Sequence, residues 1–419
     1  MDINIDAIRA EVRTWLADNW DPNLTLVEWR TKLVDTGWGM PEWPEDYFGK
    51  DMPPVAVSAI AQEFAEAGAI GVMKSGPRML AAVTLLAHGN DQQKRRFLRR
   101  ILTGEDAWCQ LFSEPGSGSD LAGSTTRADA NGDDLANGNG WKVNGQKVWT
   151  TSAHHADYGI LLARTDWDVP KHQGLSFFVI DMHQPGVEVR QLRQMNGHAS
   201  FNEVFFTDAV VPGHFQVGEL GQGWQTAMTT LAYERRAVAG NRDAKEDKGR
   251  NGTIYGEYRE EQAIANEPYT WYPQRAGRVD LVVERARETG KISDPAIRQE
   301  IAKLLTMHQS TQWFAGRLSE LQKAGKARGP EGSITKLAAS NVARLASDVH
   351  TAITGIDAML TGDQSPHDGV IAEILVSVPA VSIAGGTDEI QRNIIAERLL
   401  GLPKEPRFDT GPFKDVRRN

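Results

Sequence analysis

Apolar residues recur at three- and four-residue spacing through Ile5, Ile8, Val12, Trp15 and Leu16. The same spacing returns over 55–70, 76–88 and 91–103, which predicts a block of helices ending near Glu105. Near Trp108 the pattern turns strand-like, in the runs WKVNGQKVW, YGILLAR, LSFFVID and NEVFFTD, which Gly, Asn, Asp and Pro clusters separate. Inside the first of these runs, Asn144-Gly145 predicts a hairpin turn, because both central residues of that turn type need positive φ. Past Pro212 the helical period is restored. Trp224, Ala227, Met228, Leu231 and Val238 mark one stripe of a helix that begins after Gly221-Gln222-Gly223. Asp294-Pro295 opens another helix with a cap residue and a proline in the first turn, followed by Ile297, Ile301, Leu304 and Leu305 on one face. Two more helices run over roughly 333–361 and 387–400.

The blocks therefore read α, β, α, an α+β fold with a helical domain over 1–105, a central β-domain over 106–212 and a C-terminal helical bundle over 213–419. Segment 241–279 interrupts the last block: it is polar, glycine-punctuated and without a sustained period, and so reads as an insertion. It also carries Tyr255, Tyr258, Tyr269, Trp271 and Tyr272, side chains that interfaces and pocket mouths use. Docking against the C-terminal bundle or a neighbouring subunit is expected.

Composition narrows the class. A chain of 419 residues, 40% hydrophobic with 40 glycines, is globular, and its length suits two to three domains. The net charge of −9 argues against a nucleic-acid coat or a binder of anionic membranes, while leaving room for a few local cations around a small acidic ligand. The single cysteine, Cys109, excludes an internal disulfide framework and a thiolate zinc site, and suits a reducing compartment. No apolar run reaches the length of a membrane span, and MDINIDAIRAEVRTW forms an acidic amphipathic helix rather than a secretory leader. The expectation is a soluble cytoplasmic chain without membrane insertion. Its ten histidines show no metal-ligand spacing, so no metal is predicted.

Several segments suit chemistry, each with a plainer reading beside it. Glu114-Pro115-Gly116-Ser117-Gly118-Ser119-Asp120 follows a short strand; its glycines let backbone N–H groups approach a phosphate or a flat ring, or else it is a tight surface turn. Lys147-Val148-Trp149-Thr150-Thr151 ends a strand with an aromatic and two hydroxyls, fit to flank a planar cofactor or simply to pack in a sheet. At Gly385-Gly386-Thr387-Asp388-Glu389, bare N–H groups open the last helix, with Thr387 as its N-cap. Glu234 shares the apolar stripe of its helix with Leu231 and Val238; partial desolvation there would raise its pKa toward a value useful for proton abstraction, and Arg235 would limit the rise. The alternative is an Arg–Glu pair at a domain junction. The basic run Lys94–Arg100 reads as the solvated face of a helix.

Together these segments resemble the acyl-CoA dehydrogenase family over nearly the whole chain. GWGMPEWPEDYFG (37–49) is similar to its N-terminal motif, FSEPGSGSDLAG (112–123) to its first signature, NGQKVWTTSAHHADYGILLART (144–165) to its flavin strand, and GGTDEIQRNIIAERLLG (385–401) to its C-terminal signature. The resemblance implies an N-terminal helical domain, a central β-domain and a C-terminal four-helix bundle, in homo- or hetero-oligomers (dimers or tetramers) with FAD at subunit contacts. It implies that Gln110, Phe112 and Ser113 line the isoalloxazine, that Gly118 and Ser119 meet the flavin diphosphate or the pantetheine, that Trp149 covers the ring and that Thr151 bonds near N5. Thr387 and Glu389 would hold a second stretch of FAD, and Arg298 would serve the diphosphate of the neighbouring subunit. Arg235, Gly385 and Gly386, with Ser119, would face the acyl-CoA substrate.

Three positions depart from the family pattern. Gly385 stands where many members carry the catalytic glutamate, Ala358 where a glutamine helps hold FAD, and Ile301 where a phenylalanine follows the arginine. A smaller branch of the family, including enzymes for branched acyl chains, supplies the base from the helix that here holds Glu234. The implied reaction is α,β-dehydrogenation of a branched or bulky acyl-CoA, with electrons passed on to electron-transfer flavoprotein or a similar acceptor. The competing readings are a reductase on the same fold and a non-catalytic partner subunit of a hetero-oligomer; a flavin monooxygenase of the superfamily would lack the base.

Overall fold

The computed structural model describes residues 4–74, 76–132, 140–239, 249–323, 326, 329–406 and 409–416, without the side chains of 235–239 and 322–323. By contacts the chain forms two compact units. One combines Met1–Leu192, Ser200–Pro268 and Asp409–Asn419, and the other Arg193–Ala199 with Tyr269–Phe408.

The first unit opens with helices α1 (Ile5–Asn19), α2 (Leu26–Asp35), α3 (Pro54–Ala67), α4 (Gly76–His88) and α5 (Asp91–Thr103). The last three match the expected periods. The second was not predicted, although Leu26, Trp29, Leu33 and Val34 keep the helical spacing and Thr25 and Glu28 form a capping box at its start. Strands β1 (Trp108–Leu111), β2 (Arg127–Ala130), β3 (Trp141–Thr151), β4 (Tyr158–Arg164), β5 (Leu175–Asp181), β6 (Val187–Leu192), β7 (Phe201–Val211) and β8 (Gln216–Val217) build one sheet in the order β6-β7-β3-β2-β4-β5-β8, with β1 paired to β4 in parallel. Two helices follow, α6 (Gly223–Ala239) and α7 (Thr253–Asn266). A continuous core runs from Trp29 and Leu33 through Leu98 and Leu161 to Phe178, and takes in Ile254 and Tyr255 of α7.

Asn144-Gly145 is not a hairpin. β3 passes straight through it, pairing with β2 on one side and β7 on the other, and the register against β7 shifts between Val143 and Gly145. Asn144 exchanges hydrogen bonds with Asp208 of β7, and Gly145 sits at φ +150 with its α-carbon face against Thr126, where a Cβ would stand 2.8 Å from a backbone carbon. The dipeptide marks a bulge, which needs the same glycine freedom as a turn.

Of the 241–279 segment, residues 249–279 are described. Its residues 253–266 are the helix α7, whose inward positions are Ile254, Tyr255 and, two turns on, Glu261. The Tyr255 hydroxyl donates to Gly68 O at 2.8 Å, Glu257 accepts from the N–H of Leu26 at 2.5 Å, and Glu261 pairs with Arg30 at 2.7 Å and Arg78 at 3.1 Å. This half docks on the N-terminal helices, not on the C-terminal bundle. The residues from Tyr269 onward belong to the second unit, with the C-terminal helices. Buried Trp271 lies just before the single turn α8 (Tyr272–Arg275), and Gln274 donates to Glu373 at 3.1 Å within the second unit.

In the second unit, α9 (Val282–Glu288), α10 (Pro295–Lys323), α11 (Gly332–Thr354), α12 (Val370–Ser377) and α13 (Asp388–Ile394) pack around Ile301, Leu304, Ala346 and Ile353, with a second cluster at Ala358, Ile371 and Ile374. Asp294 caps α10, accepting from Ala296 N at 2.9 Å as its place before Pro295 predicted. Among the described residues no helix is long and apolar enough to cross a membrane, and no group of three or more metal-ligating side chains occurs.

Candidate active site

β1 carries Gln110 at its centre, paired with Ile160, and delivers Phe112 into the core with its ring edge-on to Phe177 at 5.7 Å. The chain then makes a tight turn in which Glu114 and Ser117 exchange backbone hydrogen bonds of 3.0 and 3.2 Å. Beyond it Gly118 and Ser119 are exposed, and a Cβ on Gly116 or Gly118 would meet nothing within 4 Å. The loop is thus a surface turn that is open on one side, which serves both readings made from its sequence.

The end of β3 lies directly beside this loop. Val148 N donates to Ser113 O at 2.9 Å, and the Lys147 ammonium donates to Phe112 O at 3.0 Å and to Glu114 Oε1 at 2.8 Å. Lys147 is wholly buried and Glu114 nearly so. Glu114 also accepts from Thr125 N, Thr125 Oγ1 and Thr126 N, at 2.7 to 2.9 Å. Burial works against the ionised carboxyl, but the Lys147 charge and these donors outweigh it and hold the Glu114 pKa at about 2. Burial lowers the Lys147 pKa, and the facing carboxylate opposes that. The sequence reading passed over this pair. An ammonium at an inward-facing strand position, with a glutamate in the adjoining loop, was the available signal.

Past Lys147 the pairing of β3 with β7 shifts again before Thr150. The irregularity turns Trp149 out of the sheet at φ +62, 54% exposed, with Phe201 edge-on at 5.7 Å. A non-glycine residue in the left-handed region persists only where surrounding contacts over-determine it, and such strain gathers at functional sites. Thr151 follows, half-buried, while Thr150 is buried with a hydroxyl that finds no partner among the described residues. Gln110, Phe112, Ser113, Trp149 and Thr151 therefore stand on two adjoining segments, clamped together by Lys147 and the Val148–Ser113 bond.

Glu234 lies on α6, which packs against α4. On its packed face the most buried positions of α6 are Gly223, Thr226, Ala227 and Thr230; of the stripe read from the sequence, Ala227 is buried, Trp224 and Leu231 pack partly buried against the core, and the Val238 side chain lies outside the described residues. Small and hydroxylated side chains form this face because α4 approaches closely: Thr84 and Thr230 share a 2.7 Å hydrogen bond, and His88 meets Thr229 at 2.8 Å. Glu234 continues the face one turn beyond Thr230 and is half-buried. The Arg235 side chain lies outside the described residues.

In the second unit, Gly385 and Gly386 both adopt positive φ, and Thr387 caps α13 by accepting from Ile390 N at 3.3 Å. Buried Asp388 anchors the helix start to α11 through Lys336 at 3.0 Å and Arg344 at 2.6 Å. Against the cost of burial, these cations pull its carboxyl far below the usual carboxylate range. Glu389 is exposed and pairs with Arg392 at 3.3 Å. Arg298 is exposed on α10. Ala358 and Ile301 are buried core residues of this unit.

Fold and site residues together define a class. The N-terminal, middle and C-terminal domain models of the acyl-CoA dehydrogenases match residues 4–105, 109–209 and 275–400, and the chain belongs to that family, FAD-dependent oxidoreductases acting on the CH–CH group of an acyl-CoA thioester. Among individual proteins, it is 33% identical to acyl-CoA dehydrogenase IpdE1 of Mycolicibacterium smegmatis over 96% of this chain and 99% of the relative. It is 32% identical to IpdE1 of Mycobacterium tuberculosis at the same coverage. The solved steroid acyl-CoA dehydrogenase Tcur3481-Tcur3483 shares the fold with a TM-score of 0.64 and 22% identity, over 97% of this chain and 100% of that one. The ChsE4-ChsE5 complex of Mycobacterium tuberculosis gives a TM-score of 0.59 at 24% identity, over 97% and 100%.

Proposed function

We propose that this chain dehydrogenates a branched or otherwise bulky acyl-CoA at Cα–Cβ, with Glu234 as the base. The observation that carries the reading is a pair of facts: the position before Gly386 has no side chain and open space around it, with nothing within 4 Å of where a Cβ of Gly385 would stand, and a half-buried carboxylate continues the inner face of α6. A base is required in this chemistry, and Glu234 supplies one where the C-terminal signature does not. The missing side chain at Gly385 leaves room for substituents near the thioester.

The residues fit FAD. Trp149 offers an exposed aromatic face, Thr151 and Ser113 stand on the adjoining segments, and Gly116 and Gly118 leave the loop open to close approach by a diphosphate. Gln110 and Phe112 complete that wall, Gly118 and Ser119 meet the diphosphate or the pantetheine, and Thr387 and Glu389 hold a further stretch. Exposed Arg298 suits service to a neighbouring subunit in a homo- or hetero-oligomer. When bound, FAD would supply the acceptor for the β hydrogen, which leaves as hydride. Glu234 removes the α proton, and the backbone N–H groups near Gly385 polarise the thioester carbonyl as negative charge develops on its oxygen. Ser119 and Arg235 help seat the substrate. Electrons leave to electron-transfer flavoprotein or a similar acceptor, in the cytoplasm.

The test is a dye-linked oxidation assay over a panel of acyl-CoAs. Turnover of α-branched, β-branched or cyclic thioesters at least about tenfold above straight medium chains is expected, the scale on which a hydrophobic pocket discriminates by size. A profile peaking on straight chains would remove the bulky-substrate reading.

A further inference from the structure

We propose that residues 409–416 act as a strap that holds the glycine loop 114–124 in its ligand-binding conformation, with Lys171 and Arg164 as the positioning residues that transmit the hold; the ligand assigned to the loop rests on the proposed function above. The strap crosses the hairpin between β4 and β5. Phe413 N donates to Val169 O at 2.9 Å, Lys414 N donates to Trp167 O at 3.0 Å, and Pro412 bridges to Pro170. The Phe413 ring is buried beside Trp167, 5.5 Å away. Lys414 forms an ion pair with Asp168.

Two routes lead from the strap to the loop. In the first, the Lys171 ammonium, 10% exposed, sits between Asp409 of the strap at 2.5 Å and Asp120 of the loop at 2.7 Å. In the second, the guanidinium of Arg164 lies 3.5 Å from the Phe413 ring centre, and Arg164 is wholly buried. Its N–H groups donate to Ala122 O at 2.7 Å, Ser124 O at 3.0 Å and Lys171 O at 3.1 Å. An arginine bonded to backbone carbonyls of a loop fixes that loop's path, and a ring stacked on its open face keeps water from those bonds. The loop's own backbone bonds, Ser117 N to Glu114 O, Gly123 N to Asp120 O and Ser124 N to Leu121 O, are short-range only. Leu121 and Ala122 seat its far end in the core and Lys147 holds Glu114 at its near end, but the exposed residues 115–116 and 118–120 between them bring no buried packing of their own, and Lys171 meets them at Asp120.

The test is hydrogen exchange on the full-length FAD-loaded protein, read separately over 114–124 and over β4, together with the FAD dissociation constant. Lys171→Met is expected to speed loop exchange about tenfold or more, the effect of losing one charge-assisted hydrogen bond at a buried site, with β4 unchanged and FAD held more weakly. Asp409→Asn, which changes no core packing, should move the loop in the same direction, and Lys171→Arg should restore wild-type behaviour. Loop exchange unchanged in both Lys171→Met and Asp409→Asn would overturn the proposal, as would a parallel rise in loop and β4. Faster loop exchange with unaltered FAD affinity would support the strap and remove the assignment of this loop to the cofactor.

Discussion

Lys147 and Glu114 show how an inward-facing charge and its partner tie the end of β3 to the loop after β1. Each is buried, so neither is tolerable alone. Removing one partner of a buried pair strands the other, at a cost of about 3 to 5 kcal/mol. Glu114→Gln is therefore expected to lower unfolding stability by about that amount in a denaturant titration, and to loosen the Phe112–Ser113 segment that Lys147 also holds. The pair sets an acid limit as well. The Glu114 pKa is about 2 in the folded chain against an ordinary 4.5, so the unfolded chain binds more protons between those values. The stability this group contributes is complete above about pH 4.5 and is lost as pH falls through about 2. Melting temperatures followed from pH 6 to pH 2 should fall less steeply in Glu114→Gln than in the wild type. At the same scale, Gln110, Phe112, Ser113, Trp149 and Thr151 were singled out by a resemblance, and the structure brings them onto two adjoining segments. The pairing of Glu114 with Lys147 was not legible, because its one trace, a lysine at an inward strand position, becomes decisive only once the packed sheet shows that position to be buried.

Among the elements, most helices and the four long strands follow from spacing alone. The exceptions share a cause: where a polar group occupies an inward position, the apolar period breaks. In α7 the inward row is Ile254, Tyr255 and Glu261, and the last of these is inward only because Arg30 and Arg78 meet it. A helix thus lay hidden in what the sequence presented as an irregular insertion. The face of α6 was read only in part for the same reason: Ala227, Trp224 and Leu231 lie on the packed side as their spacing predicts, but the closest row also includes the polar Thr226 and Thr230. Asn144-Gly145 failed differently: its local conformational demand was identified, but pairing on both sides decides between a turn and a bulge, and pairing is not local. The docking of α7 carries its own test. Glu261→Gln leaves Arg30 buried with a neutral partner and should destabilise the chain by about 3 kcal/mol, whereas Tyr255→Phe, which removes one hydrogen bond to Gly68 O, should cost about 1 kcal/mol. Equal and negligible effects in chemical denaturation would show that α7 is not anchored there.

At the scale of the molecule, the contact units cut across the linear domains. α6 and α7, placed by sequence in the C-terminal block, pack with the N-terminal helices and the sheet, while Arg193–Ala199 of the β-domain joins the helical second unit through His198 to Glu373 at 3.0 Å and Asn196 to Ser377 at 3.1 Å. The candidate base is thereby carried by the unit that also carries the Trp149 face and the glycine loop, and the Gly385 signature by the other. Replacing 249–266 with a short Gly-Ser bridge should consequently weaken the N-terminal helices, which a fall in helical circular dichroism and melting temperature would report. The central claim is that Glu234 removes the α proton. Its most direct test is anaerobic mixing of the FAD-loaded protein with a branched acyl-CoA while the flavin absorbance is followed. The wild type should bleach, and Glu234→Gln should keep its FAD and still show a spectral shift on binding thioester, yet bleach at least about 100-fold more slowly, the usual contribution of a general base. Bleaching of Glu234→Gln within a few-fold of the wild-type rate would contradict the assignment.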